Sequence, residues 1–229
     1  MSLDRRRFLA LLGGVSVASL GALGPARANR MPMLLSEPFP VAYTDEMAID
    51  PRYRRQLVSY VAEEEPGSII VDPDARFLYL TREDGTAIRY GVGVGREGFG
   101  WSGEAVVGDK QAWPRWHPPK EMIAREPHLA RFANGGMPGG PENPLGARAL
   151  YLYENGRDTL YRIHGTSDPT SIGRAVSSGC IRLLNQDIID LYDRVPLGTR
   201  VTVLPSRVSA PADVQEASIG PFRFGSGLY

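Results

Sequence analysis

From residue 68 onward the chain runs in short β-branched and aromatic stretches, each closed by a turn signal. This punctuation constrains the fold more than any other feature. Ile69-Ile70-Val71, the turn Asp72-Pro73-Asp74-Ala75 and Phe77-Leu78-Tyr79-Leu80 read as a hairpin. A second turn at Glu83-Asp84-Gly85 leads into a strand over 88–94. Ala149-Leu150-Tyr151-Leu152-Tyr153, the turn Glu154-Asn155-Gly156-Arg157 and Thr159-Leu160-Tyr161-Arg162-Ile163 read as another hairpin, which leaves His164 at a strand end. Asn185 reads as the N-cap of a helix over 186–195, with Ile188, Ile189, Leu191, Tyr192 and Val195 on its buried side. Pro196 and Gly198 end that helix, and 199–204 reads as a closing strand. The 26 glycines and 19 prolines in 229 residues point to many turns and loops rather than a helical bundle. The expectation is a mainly β (β-rich α+β) domain with one main helix.

Three stretches read less directly. Gly91-Val92-Gly93-Val94-Gly95 resembles a nucleotide loop only if a helix follows, and none does, so it reads as a strand with close backbone approach. Residues 96–146 carry Trp101, Trp113, Trp116, an apolar Met122-Ile123 pair and prolines from Pro114 through Pro144, and are predicted to form a long lid and cleft wall. Residues 29–67 read as an N-terminal extension, with a short helix suggested by Tyr53, Leu57, Tyr60 and Val61. Residues 205–229 read as a loose tail.

Composition narrows the class. A 42% hydrophobic content over this length suits one core, and a formal net charge of zero does not indicate a nucleic-acid-binding face. Asp4-Arg5-Arg6-Arg7-Phe8-Leu9 has the form of a twin-arginine signal, followed by an apolar run over 8–23 and by Ala26-Arg27-Ala28. Cleavage before Asn29 is therefore expected, giving a periplasmic protein with no stable membrane span. The alternative is an uncleaved anchor, for which the run is short and rich in glycine and alanine. Losing residues 1–28 takes four arginines and one aspartate from the 26 basic and 26 acidic side chains, which leaves 22 against 25.

Cys180 is the only cysteine, so it makes no internal disulfide. A lone cysteine is ordinarily a small buried hydrophobe. In an exported protein, however, an unpaired thiol is open to oxidation, and its retention calls for a chemical reason. His164-Gly165-Thr166 followed by Ser177-Ser178-Gly179-Cys180-Ile181-Arg182-Leu183 places a histidine and an arginine in the same glycine-rich stretch.

Those residues resemble the active-site signature of the L,D-transpeptidases, the YkuD-like catalytic domain. The likeness extends over 68–204 and includes Gly139, Gly140, Pro144, Leu145 and Gly146. It implies a curved mixed sheet or flattened barrel with a lid. It also implies a thiol nucleophile at Cys180, a general base at His164 and an orienting carbonyl at Gly165. An oxyanion pocket would form around Gly179 and Cys180. Arg182 would either take a substrate carboxylate or sit in a structural ion pair. Ser177 and Thr166 would hold the loop or, less directly, touch substrate, and Gly179 and Ser178 are further substrate-contact candidates. Many members carry a second histidine where this chain has Ser178, which leaves His164 as the base. His117 and His128 read as ordinary surface residues. Scattered histidines make no zinc site, and no cofactor is implied.

The implied chemistry belongs to peptidoglycan biosynthesis and cell wall organisation. Peptidoglycan stem peptides are the partners, and a thioester forms with loss of D-alanine. A second stem as acceptor gives a 3→3 cross-link, and water gives an L,D-carboxypeptidase. An outer-membrane protein or lipoprotein lysine as acceptor gives protein anchoring. A non-catalytic wall-binding module is the alternative from another class.

Overall fold

The computed structural model describes residues 37–41, 43–96, 100–177 and 179–206. The expected leader and most of the tail fall outside the described residues. Among the described residues there are eleven strands, nine of them in one mixed sheet. They are β1 (Gln56–Ser59), β2 (Ile69–Asp72), β3 (Phe77–Thr81), β4 (Thr86–Gly91), β5 (Val94–Gly95), β6 (Gly103–Ala112), β7 (Arg148–Glu154), β8 (Arg157–Thr166), β9 (Ala175–Ser177), β10 (Ile181–Leu184) and β11 (Arg200–Val203). The α-helices are α1 (Lys120–Arg125) and α2 (Asn185–Arg194). The large sheet runs β1-β4-β3-β2-β11-β6-β7-β8-β10, with β5 and β9 forming a small second sheet. Its ends do not pair with each other, so the expected curved sheet is realised as an open ladder and no closed barrel forms.

Both hairpins follow from local chemistry. In the β7–β8 turn, Asn155 and Gly156 take φ of 50° and 75°, the left-handed pair that a two-residue hairpin turn needs. One face of the sheet carries Ile69, Val71, Leu78, Leu80, Leu150, Leu152, Ile163, Ile181 and Leu183, and α2 adds Ile188 and Leu191 to this core. Truncating a fully buried leucine there to alanine costs about 2–5 kcal/mol. The last turn of α2 is held by Lys110, whose Nζ donates to the carbonyls of Tyr192 (2.6 Å) and Val195 (2.5 Å).

Three expectations are corrected. The short helix read from Tyr53 to Val61 is absent. Two 3-10 turns, Glu46–Ala48 and Pro51–Tyr53, are capped by Asp45 and Asp50, and the edge strand β1 follows, paired with β4. The open edge of β4 offers backbone partners that an isolated helical turn lacks. The stretch read as a long lid contains β6, ten residues inside the sheet between β11 and β7. Only Ala105 and Val107 of β6 are buried, and the ladder shifts register at Gly108, where a side chain would run into Tyr153. The alternation is therefore faint. Asn185 is not the N-cap but the first residue of α2, and Leu184 occupies the cap position.

Candidate active site

β8 and β10 are neighbours in a parallel pair, with Ile181 opposite Ile163 and Arg182 opposite His164. Ile163 and Ile181 point into the core. Side chains alternate along a strand, so Arg162, His164 and Arg182 occupy the other face, and Cys180 joins them one step before β10. Two chain segments sixteen residues apart thus meet across one strand spacing, about 4.8 Å. Cys180 is half-buried, and His164 is only 4% exposed.

The imidazole is held from one side. Its Nδ1 lies 2.7 Å from the carbonyl oxygen of Gly165. A carbonyl only accepts, so Nδ1 carries the proton and Nε2 keeps the basic lone pair. Gly165 in turn lies flush against the amide oxygen of Asn185, which accepts from the Ala147 N–H at 3.0 Å. A methyl group at Gly165 or at Gly146 would run into that oxygen, so both glycines are required by close approach.

Burial pushes the His164 pKa down to about 4, outweighing the Gly165 and Leu145 carbonyls that favour the charged ring, and the guanidinium groups of Arg182 and Arg162 add to the fall. Burial also pushes the Cys180 thiol up, opposed by the Arg162 backbone N–H and by the guanidinium groups of Arg162 and Arg182. The resting pair is therefore neutral thiol and neutral imidazole, and among the described residues no hydrogen bond joins sulfur to ring. A neutral imidazole is the form that can accept a proton.

The loop between the two strands is tied together by its own hydroxyls. Thr166 Oγ1 accepts from Asp168 N at 3.1 Å, and Ser171 Oγ donates to Asp168 O at 2.7 Å. Ser177 Oγ donates to the Cys180 carbonyl at 2.6 Å and accepts from the Gly179 N–H at 3.1 Å. Gly179 has a φ of 126°, a conformation that favours glycine. Its N–H is engaged within the loop, as are the hydroxyls of Ser177 and Thr166. Ser178 lies outside the described residues. His117 and His128 are exposed and away from this constellation in the chain. Among the described residues no group of three His, Cys, Asp or Glu side chains is placed to hold a metal ion.

Two arginines differ in their surroundings. Arg162 forms a two-pronged pair with Asp158, both contacts at 2.7 Å, and lies 4.2 Å over the Tyr151 ring. Arg182 has no carboxylate within ion-pair distance among the described residues, which leaves its planar donor set available to a bound anion. Sequence reasoning did not single out Arg162 or the amide of Asn185. Arg162 was accessible, since two residues before His164 on a strand means the same face. The Asn185 contact, 38 residues away in the chain, carried no local signal.

The sequence profile of the L,D-transpeptidase catalytic domain (YkuD) matches residues 66–203. The chain belongs to the L,D-transpeptidase catalytic-domain family. It is 36% identical over 151 residues to a probable L,D-transpeptidase, YbiS, of Escherichia coli K12, covering 64% of this chain and 47% of that one. It is 37% identical over 150 residues to a probable L,D-transpeptidase, ErfK/SrfK, of the same strain, covering 62% and 45%. The chain thus spans about half the length of the curated relatives it matches. A solved structure titled a probable carnitine operon oxidoreductase CaiA from Brucella melitensis is 52% identical, with a TM-score of 0.47, covering 70% of this chain and 99% of that one.

Proposed function

We propose that this family member is an exported cysteine acyltransferase acting on peptidoglycan stem tetrapeptides, with Cys180 as nucleophile and His164 as base and then acid. The observation that carries the proposal is the placement of both side chains on one face of adjacent strands, with Nδ1 already fixed on the Gly165 carbonyl. Nε2 takes the thiol proton as sulfur attacks the carbonyl of the third stem residue. The C–N bond to D-alanine breaks, the proton passes to the departing amine, and a thioester remains on Cys180. An amine of a second stem then displaces sulfur, leaving a 3→3 cross-link and restoring the thiol. The Cys180 N–H serves the developing oxyanion, since the Gly179 N–H is held by Ser177. Arg182 takes a substrate carboxylate.

The domain plan follows the same reading: a leader over 1–28, an extension over 29–67, the catalytic unit over 68–204 and a tail over 205–229. The twin-arginine segment and Ala26-Arg27-Ala28 support export to the periplasm. An oxidoreductase reading draws no support from the glycine run at 91–95. Gly91 ends β4 and Gly93 bridges to Arg182, and among the described residues no helix follows as a dinucleotide loop requires. Incubating the mature protein with disaccharide-tetrapeptide, followed by mass spectrometry, tests the proposal. Cross-linked dimer with free D-alanine is expected. Tripeptide and D-alanine alone would make it a carboxypeptidase, and unchanged substrate would leave a binding module.

A further inference from the structure

The N-terminal extension touches the loop that leads to Cys180. Ile49 packs with Ile172 and Leu184, and Tyr53 lies against that cluster. Thr44 and Gln186 exchange two hydrogen bonds, Thr44 N to Oε1 at 3.2 Å and Nε2 to Thr44 O at 2.7 Å. Arg55 pairs with Asp190 at 2.8 Å. A methyl group at Gly173 would run into the Tyr53 ring, and one at Gly91 into the Tyr53 carbonyl. Gly173 lies in the loop that leads to Cys180, and Gly91 lies two residues before Gly93. Gly173 N donates to Val92 O at 3.0 Å, and Gly93 exchanges backbone hydrogen bonds with Arg182 at 2.9 and 2.8 Å. The path from Tyr53 to the residue two places past Cys180 is therefore continuous and built of close backbone contacts.

We propose that residues 44–55 brace the catalytic loop and that Tyr53 is a positioning residue, holding Gly173 and Gly91 so that Gly93 fixes the register of Arg182 beside Cys180. The proposal rests on Cys180 and Arg182 being the working groups. It makes the extension part of the catalytic unit, because small misplacements of reacting groups cost rate more than stability.

The test compares Tyr53→Ala, Tyr53→Leu, Tyr53→Phe and Tyr60→Ala in the mature chain. Tyr60→Ala is the control, since Tyr60 belongs to the same extension and stacks on Tyr79 at 4.5 Å. D-alanine release and amide hydrogen exchange over 172–184 are read at a temperature where each variant is folded. Tyr53→Ala should lower kcat by about tenfold with KM within about twofold, and should speed exchange at Gly173 and Arg182. Tyr53→Leu should fall between Tyr53→Ala and the parent, and serves as the severe variant should alanine not fold. Tyr53→Phe and Tyr60→Ala should stay within about twofold of the parent. Equal kcat values for the Tyr53 and Tyr60 truncations, or unchanged exchange over the loop, would overturn the brace. Turnover that persists in Cys180→Ala would instead remove the nucleophile assignment, and the exchange data would still decide the brace.

Discussion

The two ends of the nine-stranded sheet share one core but carry different chemistry on their outer faces. At the β3–β4 end the outward aromatic and cationic side chains pack on one another. Arg89 lies 4.2 Å over the Phe77 ring, and Tyr60 stacks on Tyr79, with the extension laid across them. At the β8–β10 end a half-buried thiol, a buried imidazole and a guanidinium with no carboxylate at ion-pair distance among the described residues share the corresponding face. Buried polar groups in a finished structure are normally satisfied. On the proposed reading, the groups left without partners on this face are kept for a substrate.

The largest effect expected is at the thiol. Cys180→Ala should reduce D-alanine release by about 10³-fold or more, with an unchanged near-ultraviolet spectrum. Residual turnover near the parent level would erase the contrast between the two ends.

His164 sharpens the comparison through pH. Its folded pKa of about 4 lies below its ordinary value of 6.5, so the fold binds this proton less well than the unfolded chain does. Stability from neutral His164 is fully present above about pH 6.5 and is lost as pH falls toward about 4, by about 3 kcal/mol. Denaturant midpoints should drop over that window in the parent, while His164→Gln should lose this component. The same variant should alkylate with iodoacetamide about 10²-fold more slowly near neutrality. Identical pH profiles for the two proteins would remove the histidine from both roles.

Arg182→Lys comes next. Losing the planar donor pair should raise KM by about tenfold while Cys180 still labels. An unaltered KM would assign Arg182 to structure alone. The smallest effect belongs to the far end. Arg89→Met should cost no more than about 1 kcal/mol in denaturation and leave turnover within about twofold.

What could be read from the chain followed from how local each signal was. The β2–β3 and β7–β8 hairpins were legible because β-branched, leucine and aromatic stretches flank turn residues, Asn155-Gly156 above all. β6 was not, because its inward positions are only Ala105 and Val107 and its neighbours supply the pairing. β1 was missed for a similar reason: its backbone partner, β4, lies some thirty residues on, with Gln56 opposite Arg89. In the site, the residue types at 164, 180 and 182 were visible in the motif. That they share one face is a matter of β8–β10 register, which no spacing in the chain encodes. Asn185 carried a cap-like signal, yet its amide oxygen is spent on Ala147 N–H beneath Gly165.

The central claim is that sulfur carries the acyl group with the help of an imidazole from the adjacent strand. Intact-protein mass spectrometry after a brief incubation with disaccharide-tetrapeptide, followed by peptide mapping, tests it most directly. The expected result is an acyl adduct on Cys180 equal to the donor less D-alanine, formed far more slowly in His164→Gln. D-alanine release with no adduct on Cys180, or with the adduct on another side chain, would contradict it.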